Sequence, residues 1–343
     1  MVDRHTKFVW AVAALPLIAV VSFVYLFASP LPLTDEWSYT HALRLWHGFD
    51  LTSWEGMLAA FETYPTRHNE HLVVLPFVIY APLMEQLNYD SRFVIYLTLA
   101  SFAALAGLFR PLFKTNPWLW CLVCLILFCP SHYMEFLWAW QITLTWSVLL
   151  PICGFFLIDR SRAQTTSLHV SRDIVLGVLA ISLGTLSSAV GFFGFPAALL
   201  IVLLHPDALR TRLLKAAAIA AGGVGIYLSL MSSAARELSV GAREFWYILT
   251  MLGGTLWSTP VATTEFKFNL TSVVGLLVLL SISAVVTRTV VIKKWADLAL
   301  PLGITAFGFL CIASIAISRD YLGNWHLQYA LPILRPDAPS AMR

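Results

Sequence analysis

Long, uninterrupted apolar segments separated by short polar ones are the main pattern along this chain of 343 residues. The first such segment, Phe8 to Ala28, has about 20 residues, which is long enough for a helix to cross a bilayer. The segments are continuous, whereas the strands of a membrane β-barrel alternate apolar and polar residues over about ten positions. Because a backbone in hydrocarbon must satisfy its own hydrogen bonds, the pattern predicts an all-α polytopic bundle of transmembrane helices.

About nine segments are predicted to span the membrane, and the whole chain, residues 1–343, is predicted to form a single integral membrane domain. Two other apolar segments are predicted not to span. Leu72 to Leu87 is short and contains two prolines, which favours a helix lying at the membrane interface. Phe245 to Trp257 is a second interfacial or re-entrant segment, or a span that replaces one of the others. The nine predicted spans are Phe8 to Ala28, Phe93 to Phe109, Trp118 to Cys129, Ile142 to Ile158, Ile174 to Ser188, Gly191 to Leu204, Ala216 to Ser232, Val273 to Val286 and Leu298 to Ile317.

Composition agrees with a membrane protein, since 59% of the residues are hydrophobic, 12% are charged and the mean hydropathy is +0.76. Soluble domains carry roughly 25% charged residues. The first segment is longer than the apolar region of a signal peptide and is followed by Pro30 and Pro32, which favours an uncleaved anchor. All five cysteines lie in apolar stretches, so no disulfide framework is predicted.

The distribution of charge predicts the orientation, because Lys and Arg collect in the cytoplasmic loops of membrane proteins. The N-terminal arm and four candidate inner loops hold 13 of the 22 Lys and Arg, but five of the 19 Asp and Glu. We therefore predict a cytoplasmic N-terminus, an outer loop over residues 29–92 and an outer C-terminus. Separately, the chain is expected to be a truncated member of a longer family. The four inner loops are Arg110 to Asn116, Asp159 to Asp173, His205 to Lys215 and Arg288 to Asp297.

The outer loop contains the first candidate site, the acidic pair Asp35 and Glu36, a few residues beyond the first span. The part of this loop before the predicted interfacial helix, Ser29 to His71, has about 40 residues, and loops that long are usually functional or disordered. Carboxylates close to lipid are costly unless they have a use, which favours a catalytic role for this pair. The alternative is that Asp35 caps the N-terminus of a short helix.

A second candidate site is the run from Arg67 to His71, directly before the predicted interfacial helix. Arg67, His68 and His71 at a helix N-terminus suit a phosphate or another anionic substrate group. His68, Glu70 and His71, together with Asp35, could instead bind a divalent metal, the one cofactor considered. A third alternative is that these side chains solvate the end of the helix.

Two further polar positions are weaker candidates for substrate binding. Gln141 lies beside Trp138 and Trp140 in a turn before a predicted span, where tryptophans serve as interface anchors or as a platform for stacking a sugar. Arg319 follows the last predicted span, where it could bind a donor phosphate or extend to lipid headgroups.

This arrangement resembles the GT-C glycosyltransferases, including the protein O-mannosyltransferases and the aminoarabinose and arabinofuranosyl transferases. The resemblance rests on a cytoplasmic start, one span, an outer acidic pair, an interfacial helix and a returning span, and it covers roughly Thr34 to Lys114. It implies that Asp35, with Glu36 beside it, is the base for the acceptor or a metal ligand. Arg92, a further candidate for binding the substrate or its phosphate, matches the arginine that opens the returning span. The stretch Asn69 to Pro76 departs from the His-Pro-Pro-Leu segment of several relatives.

The resemblance implies an inverting transferase that moves a sugar from a polyprenyl phosphate to a glycan, lipid or protein acceptor outside the cytoplasm, in a bacterial inner membrane. The donor lies in the bilayer, so the site must be at the lipid surface. The acceptor hydroxyl needs a base, and the leaving phosphate needs positive charge or a metal.

The alternatives are a lipid-linked sugar transporter or flippase, and a non-catalytic envelope assembly protein. A transporter would place ionisable groups near the middle of its spans, whereas most of these spans lack them. The sequence contains no support for a nucleic-acid partner.

Overall fold

The computed structural model describes residues 4–32, 48–50, 53–56, 59, 67–68, 71–129, 136–163, 167–230, 245, 248–249, 252, 270–292 and 295–318. These residues divide into two contact units. The first unit contains the described residues from 4 to 230 together with 295–307, and the second contains those of 245–292 and 308–318. The single-domain organisation of the whole chain stays a prediction.

Ten helices of 11 residues or more make up most of the described chain. The described residues also include two strands of two residues each, β1 (Arg67–His68) and β2 (His71–Leu72), which pair in an antiparallel ladder. The all-helical prediction is therefore confirmed for the described residues apart from this ladder. The helices are α1 (Arg4–Phe27), α2 (Val74–Gln86), α3 (Arg92–Phe109), α4 (Pro117–Leu127), α5 (Ile142–Arg160), α6 (Ser167–Ser187), α7 (Gly194–Leu204), α8 (Leu209–Leu230), α9 (Leu270–Ile292) and α10 (Ala299–Ser318).

Five helical segments within the described residues are long and apolar enough to cross a membrane. Each of the nine predicted spans coincides with a helix, but α4 and α7 have 11 residues each. At 1.5 Å per residue such a helix is about 17 Å long, well short of a hydrocarbon core of about 30 Å. The helical membrane class is confirmed, and the number of nine spans stays a prediction. The five segments are Phe8–Phe27, Arg92–Phe113, Ala139–Arg160, Leu209–Leu228 and Ala296–Ser314.

The N-terminal ends of α1 and α4 meet the C-terminal end of α3. Trp10 of α1 stacks edge-on against Trp120 of α4 at 4.8 Å between ring centroids. The guanidinium carbon of Arg110, at the end of α3, lies 4.6 Å from the centre of the Trp10 ring. The Trp120 indole nitrogen also donates to the carbonyl of Ala106 in α3, so the three helix ends form one contact.

The other ends of α1 and α3 also meet, because the Ser91 amide donates to the Pro30 carbonyl at 3.0 Å. The two helices are therefore antiparallel. Residues 31–90 leave α1 and return to α3 at the same end, as the loop prediction requires.

Helices α5 and α6 form a close antiparallel pair whose contact depends on small residues. A Cβ atom added to Gly154 would lie 2.7 Å from the carbonyl oxygen of Gly177, and one added to Gly184 would lie 2.5 Å from Cδ of Pro151. Glycines let helix backbones approach closely in membrane proteins, where packing replaces the hydrophobic driving force. Each end of this helix pair carries a group of polar side chains.

A short 3₁₀ turn, Ala189–Phe193, separates α6 from α7. Gly191 lies against the backbone of α6, since a Cβ there would be 2.4 Å from the carbonyl carbon of Gly184. The run of Ser187, Ser188, Gly191, Gly194 and Pro196 interrupts a long apolar stretch and predicts a tight hairpin between two short helices. The turn is present, but α6 has 21 residues and α7 has 11.

We predict that Gly177→Leu destabilises the protein by about 1–3 kcal/mol, because the new side chain overfills a closed contact. A Cβ at this position would lie 2.7 Å from Cγ1 of Ile158. Thermal unfolding of the detergent-solubilised protein measures the effect. Gly225→Leu is the matched control, since nothing lies within 4 Å of its added Cβ. Equal unfolding midpoints for the two variants would contradict this account of the α5–α6 contact.

Candidate functional site

The β1–β2 ladder brings together the positions predicted to bind an anion. Its register pairs Arg67 with Leu72 and His68 with His71, so the two histidine positions face each other across the ladder. Strand β2 leads directly through the buried Val73 into α2, and both β2 and α2 contact α6. The backbone positions of the predicted cluster are therefore adjacent, and the choice between an anion and a metal stays open.

Arg92, the other predicted phosphate-binding cation near this loop, is paired within the protein. Its Nη2 donates to Oδ2 of Asp90 at 2.6 Å and its Nε donates to Oδ1 at 2.9 Å. These side-chain hydrogen bonds from Arg92 are the main reason that the pKa of Asp90 lies below its ordinary value. Both side chains are partly exposed, so solvent screens the pair and its contribution to stability is small. A phosphate would have to compete with Asp90 for this guanidinium.

The corner before Arg92 has an uncommon backbone. Asn88 and Tyr89 have φ angles of 52° and 63°, the left-handed region that residues with a Cβ rarely occupy. The Tyr89 amide donates to the Met84 carbonyl at 2.6 Å, which closes the end of α2. Helix α2 has 13 residues and is about 20 Å long. It therefore separates the Asp90–Arg92 corner from the histidine ladder at its other end.

Gln141 lies in the 3₁₀ turn Ala139–Gln141, which leads into α5 and contacts α3. The residue is 7% exposed, and its side-chain oxygen has no hydrogen-bond partner among the described residues. The same is true of the buried indole nitrogen of Trp138, three residues earlier in the described chain. The structure therefore places this predicted binding residue in the interior rather than on an open surface.

The opposite end of the α5–α6 pair contains a bidentate ion pair that sequence reasoning used for topology alone. Arg160 donates through Nε and Nη2 to the two carboxylate oxygens of Asp173, at 2.8 and 2.7 Å. The Asp173 side chain is fully buried, and Arg172 provides a second guanidinium at 3.7 Å. The sequence could have indicated this ion pair, because Arg160 and Asp173 lie on either side of the short connection between two predicted helices.

A network of charged side chains extends from this end to the start of α8. Lys215 donates to Oδ2 of Asp207 at 2.7 Å and to the hydroxyl of Ser161 at 2.9 Å. The imidazole of His205 is fully buried, with Asp159 at 3.5 Å on one side and Asp207 at 3.7 Å on the other. These contacts join α5, the end of α7 and the start of α8.

The segment before α10 reaches the same network. Arg162, which lies 3.6 Å from Asp159, also donates to the carbonyl of Ala296. Three of the four loops predicted to be cytoplasmic therefore meet at one end of the first unit, while Arg110 lies with the start of α1.

Several predicted site residues lie outside the described residues, namely Asp35, Glu36, Glu70 and Arg319. Their roles stay predictions, as does the metal site to which Asp35 and Glu70 would contribute. Within the part of the chain that the structure describes, no group of three or more His, Cys, Asp or Glu side chains could hold a metal ion.

No protein-family model matches this chain, and no curated protein or solved structure matches it either.

We predict that Arg160→Met lowers the unfolding midpoint more than Asp173→Leu does. The first change leaves a carboxylate buried without two of its hydrogen bonds, whereas the second leaves an arginine that is half exposed and can stay hydrated. The double variant should recover part of the loss caused by Arg160→Met. Thermal unfolding of the three variants at neutral pH is the measurement, and a greater loss in Asp173→Leu would refute the assignment of the buried partner.

Proposed function

We propose that this protein is a membrane glycosyltransferase that transfers a sugar from a polyprenyl phosphate to an acceptor on the non-cytoplasmic side. The observation that carries the proposal is the antiparallel pairing of α1 and α3, closed by the Ser91–Pro30 hydrogen bond. Because of it, the connection that contains the acidic pair and the histidine cluster begins and ends at one end of the bundle.

Chain length restricts how far the acidic pair can lie from this end. Asp35 is five residues after Pro30, so its Cα lies within about 18 Å of the Pro30 Cα even if that stretch is fully extended. Arg92 directly follows Ser91, the partner of Pro30. A carboxylate base can therefore reach the rim where Arg92 lies, and a departing phosphate would have to compete with Asp90 for that guanidinium.

The distribution of charge supports an enzyme over a transporter. In α1, α3, α5 and α8, charged residues occur in the first or last two turns and not in the middle, and α10 contains none. Transport sites usually place ionisable groups near the centre of the membrane. The basic network around Lys215 and Arg162 is the expected cytoplasmic end, because arginine and lysine accumulate there.

We expect Asp35→Asn to reduce sugar transfer by a factor of about 100 or more while the protein still folds, since an amide cannot accept the acceptor's proton. Transfer is measured with the purified protein in vesicles, using polyprenyl phosphates that carry mannose, aminoarabinose or arabinofuranose. Glu55→Gln is the matched control, an exposed acidic residue in the same connection. Unchanged transfer by Asp35→Asn would remove the catalytic role. If the wild-type protein moves the intact lipid across the vesicle membrane and transfers no sugar, it is a flippase.

Sidedness provides a separate test of the orientation. In a variant without the five native cysteines, Ser53→Cys should react with an impermeant thiol reagent added outside the cell. Ser167→Cys should react after the cytoplasmic side is opened. The first position lies between α1 and α3, and the second begins α6 near the basic end. Labelling of Ser53→Cys from the cytoplasm alone would reverse the orientation and place the acidic pair on the wrong side for this function.

A further inference from the structure

Within the part of the chain that the structure describes, three side chains at one end of the α5–α6 pair have a buried polar atom without a hydrogen-bond partner. The three groups are the indole nitrogen of Trp138, the amide oxygen of Gln141 and the hydroxyl of Ser188. Trp138 and Gln141 precede α5, and Ser188 directly follows α6. Because the two helices are antiparallel, all three residues lie at the end opposite the Arg160–Asp173 ion pair.

Several other buried hydroxyls and indoles in these apolar helices do have hydrogen-bond partners. Thr98, Thr145 and Thr185 each donate to the carbonyl four residues earlier in the same helix. The indole nitrogens of Trp120 and Trp146 donate to the Ala106 carbonyl and to the Ser101 hydroxyl, at 2.8 and 3.0 Å. The fold therefore supplies partners to buried hydroxyls and indoles along these helices.

The other buried atoms without a hydrogen bond have a separate explanation. They belong to Asp159, His205 and Arg212. Asp159 and His205 are within the charged network at the basic end, and Arg212 begins the same helix as Lys215 and donates through Nη1 to the Leu203 carbonyl. Trp138, Gln141 and Ser188 have no such charged surroundings among their described contacts.

Leaving a polar group buried and unpaired costs free energy, so an exception of this kind is a position where an external partner is expected. Gln141 and Ser188 are 7% and 1% exposed, which means that bulk water does not satisfy them. An indole donates, an amide oxygen accepts and a serine hydroxyl does both. The set therefore matches a ligand whose groups both donate and accept.

We infer that Trp138, Gln141 and Ser188 bind the hydroxyl groups of the transferred sugar. This inference rests on the proposed function and names further binding residues for it. In the orientation that the structure gives the Gln141 amide, a sugar hydroxyl can donate to its oxygen and accept from Trp138, whereas an ionised phosphate can only accept. Gln141 is thus assigned to the sugar and not to the phosphate of the donor.

The test uses Gln141→Leu, Trp138→Phe and Ser188→Ala, which remove each polar group and keep most of the side-chain volume. Without ligand, each variant should unfold at the wild-type temperature or above it, because an unsatisfied buried group has been removed. Each should bind the polyprenyl phosphate carrying mannose, aminoarabinose or arabinofuranose about tenfold more weakly, the usual effect of one lost hydrogen bond. Binding of the same polyprenyl phosphate without a sugar should not change.

Trp146→Phe is the matched control, since it removes an indole that is already bonded to Ser101. It should lower the unfolding temperature and leave the preference for the sugar-bearing lipid intact. The inference is overturned if the three variants bind sugar-bearing lipid as the wild type does, or lose it and the bare lipid equally. It is also overturned if they lose stability as Trp146→Phe does, which would mean that the groups already have partners in the fold. If the wild-type protein binds none of the three sugar-bearing lipids, the proposed function fails and the inference fails with it.

Discussion

The backbone contact between α5 and α6 determines where the polar groups of the first unit can lie. Gly154 faces Gly177 so closely that a single methyl group would collide with the opposite backbone. Because the two helices are antiparallel, each end of the pair combines the start of one helix with the end of the other. The Arg160–Asp173 ion pair lies at one end, and Gln141 and Ser188 lie at the other.

The two ends satisfy their polar groups in different ways. At the basic end, Lys215 reaches both Asp207 and Ser161, so the protein supplies its own partners. At the other end, the indole of Trp138 and the amide of Gln141 are buried without them. Such unpaired groups lower the stability of the fold unless a ligand or an ordered water forms hydrogen bonds with them. On this asymmetry rests our proposal that the end with Gln141 binds a hydroxyl-bearing substrate, whereas the charged groups at the basic end pair with one another.

Much of the fold follows from local pattern. The apolar segments predicted the helices because a backbone in hydrocarbon has no alternative way to form its hydrogen bonds. The prolines and polar residues around Leu72 to Leu87 predicted a helix shorter than a span, and α2 has 13 residues. Hydropathy also predicted a short segment from Trp118 to Cys129, and α4 runs from Pro117 to Leu127 with 11 residues. For the site, the order of Arg67, His68 and His71 could be read directly, but their pairing across a ladder could not.

Residue order alone was sufficient for the membrane class, the helical segments and the grouping of basic residues into the same few loops, since each depends on neighbours along the chain. Tertiary contacts decided which cationic side chains are already paired with a carboxylate. Arg92 was expected to be available for a phosphate, yet Asp90 holds two of its nitrogens, and Gln141 was expected at a rim but is buried. Burial and hydrogen-bond satisfaction depend on atoms from distant parts of the chain, such as Ser101 beside Trp146, and no local pattern contains that information.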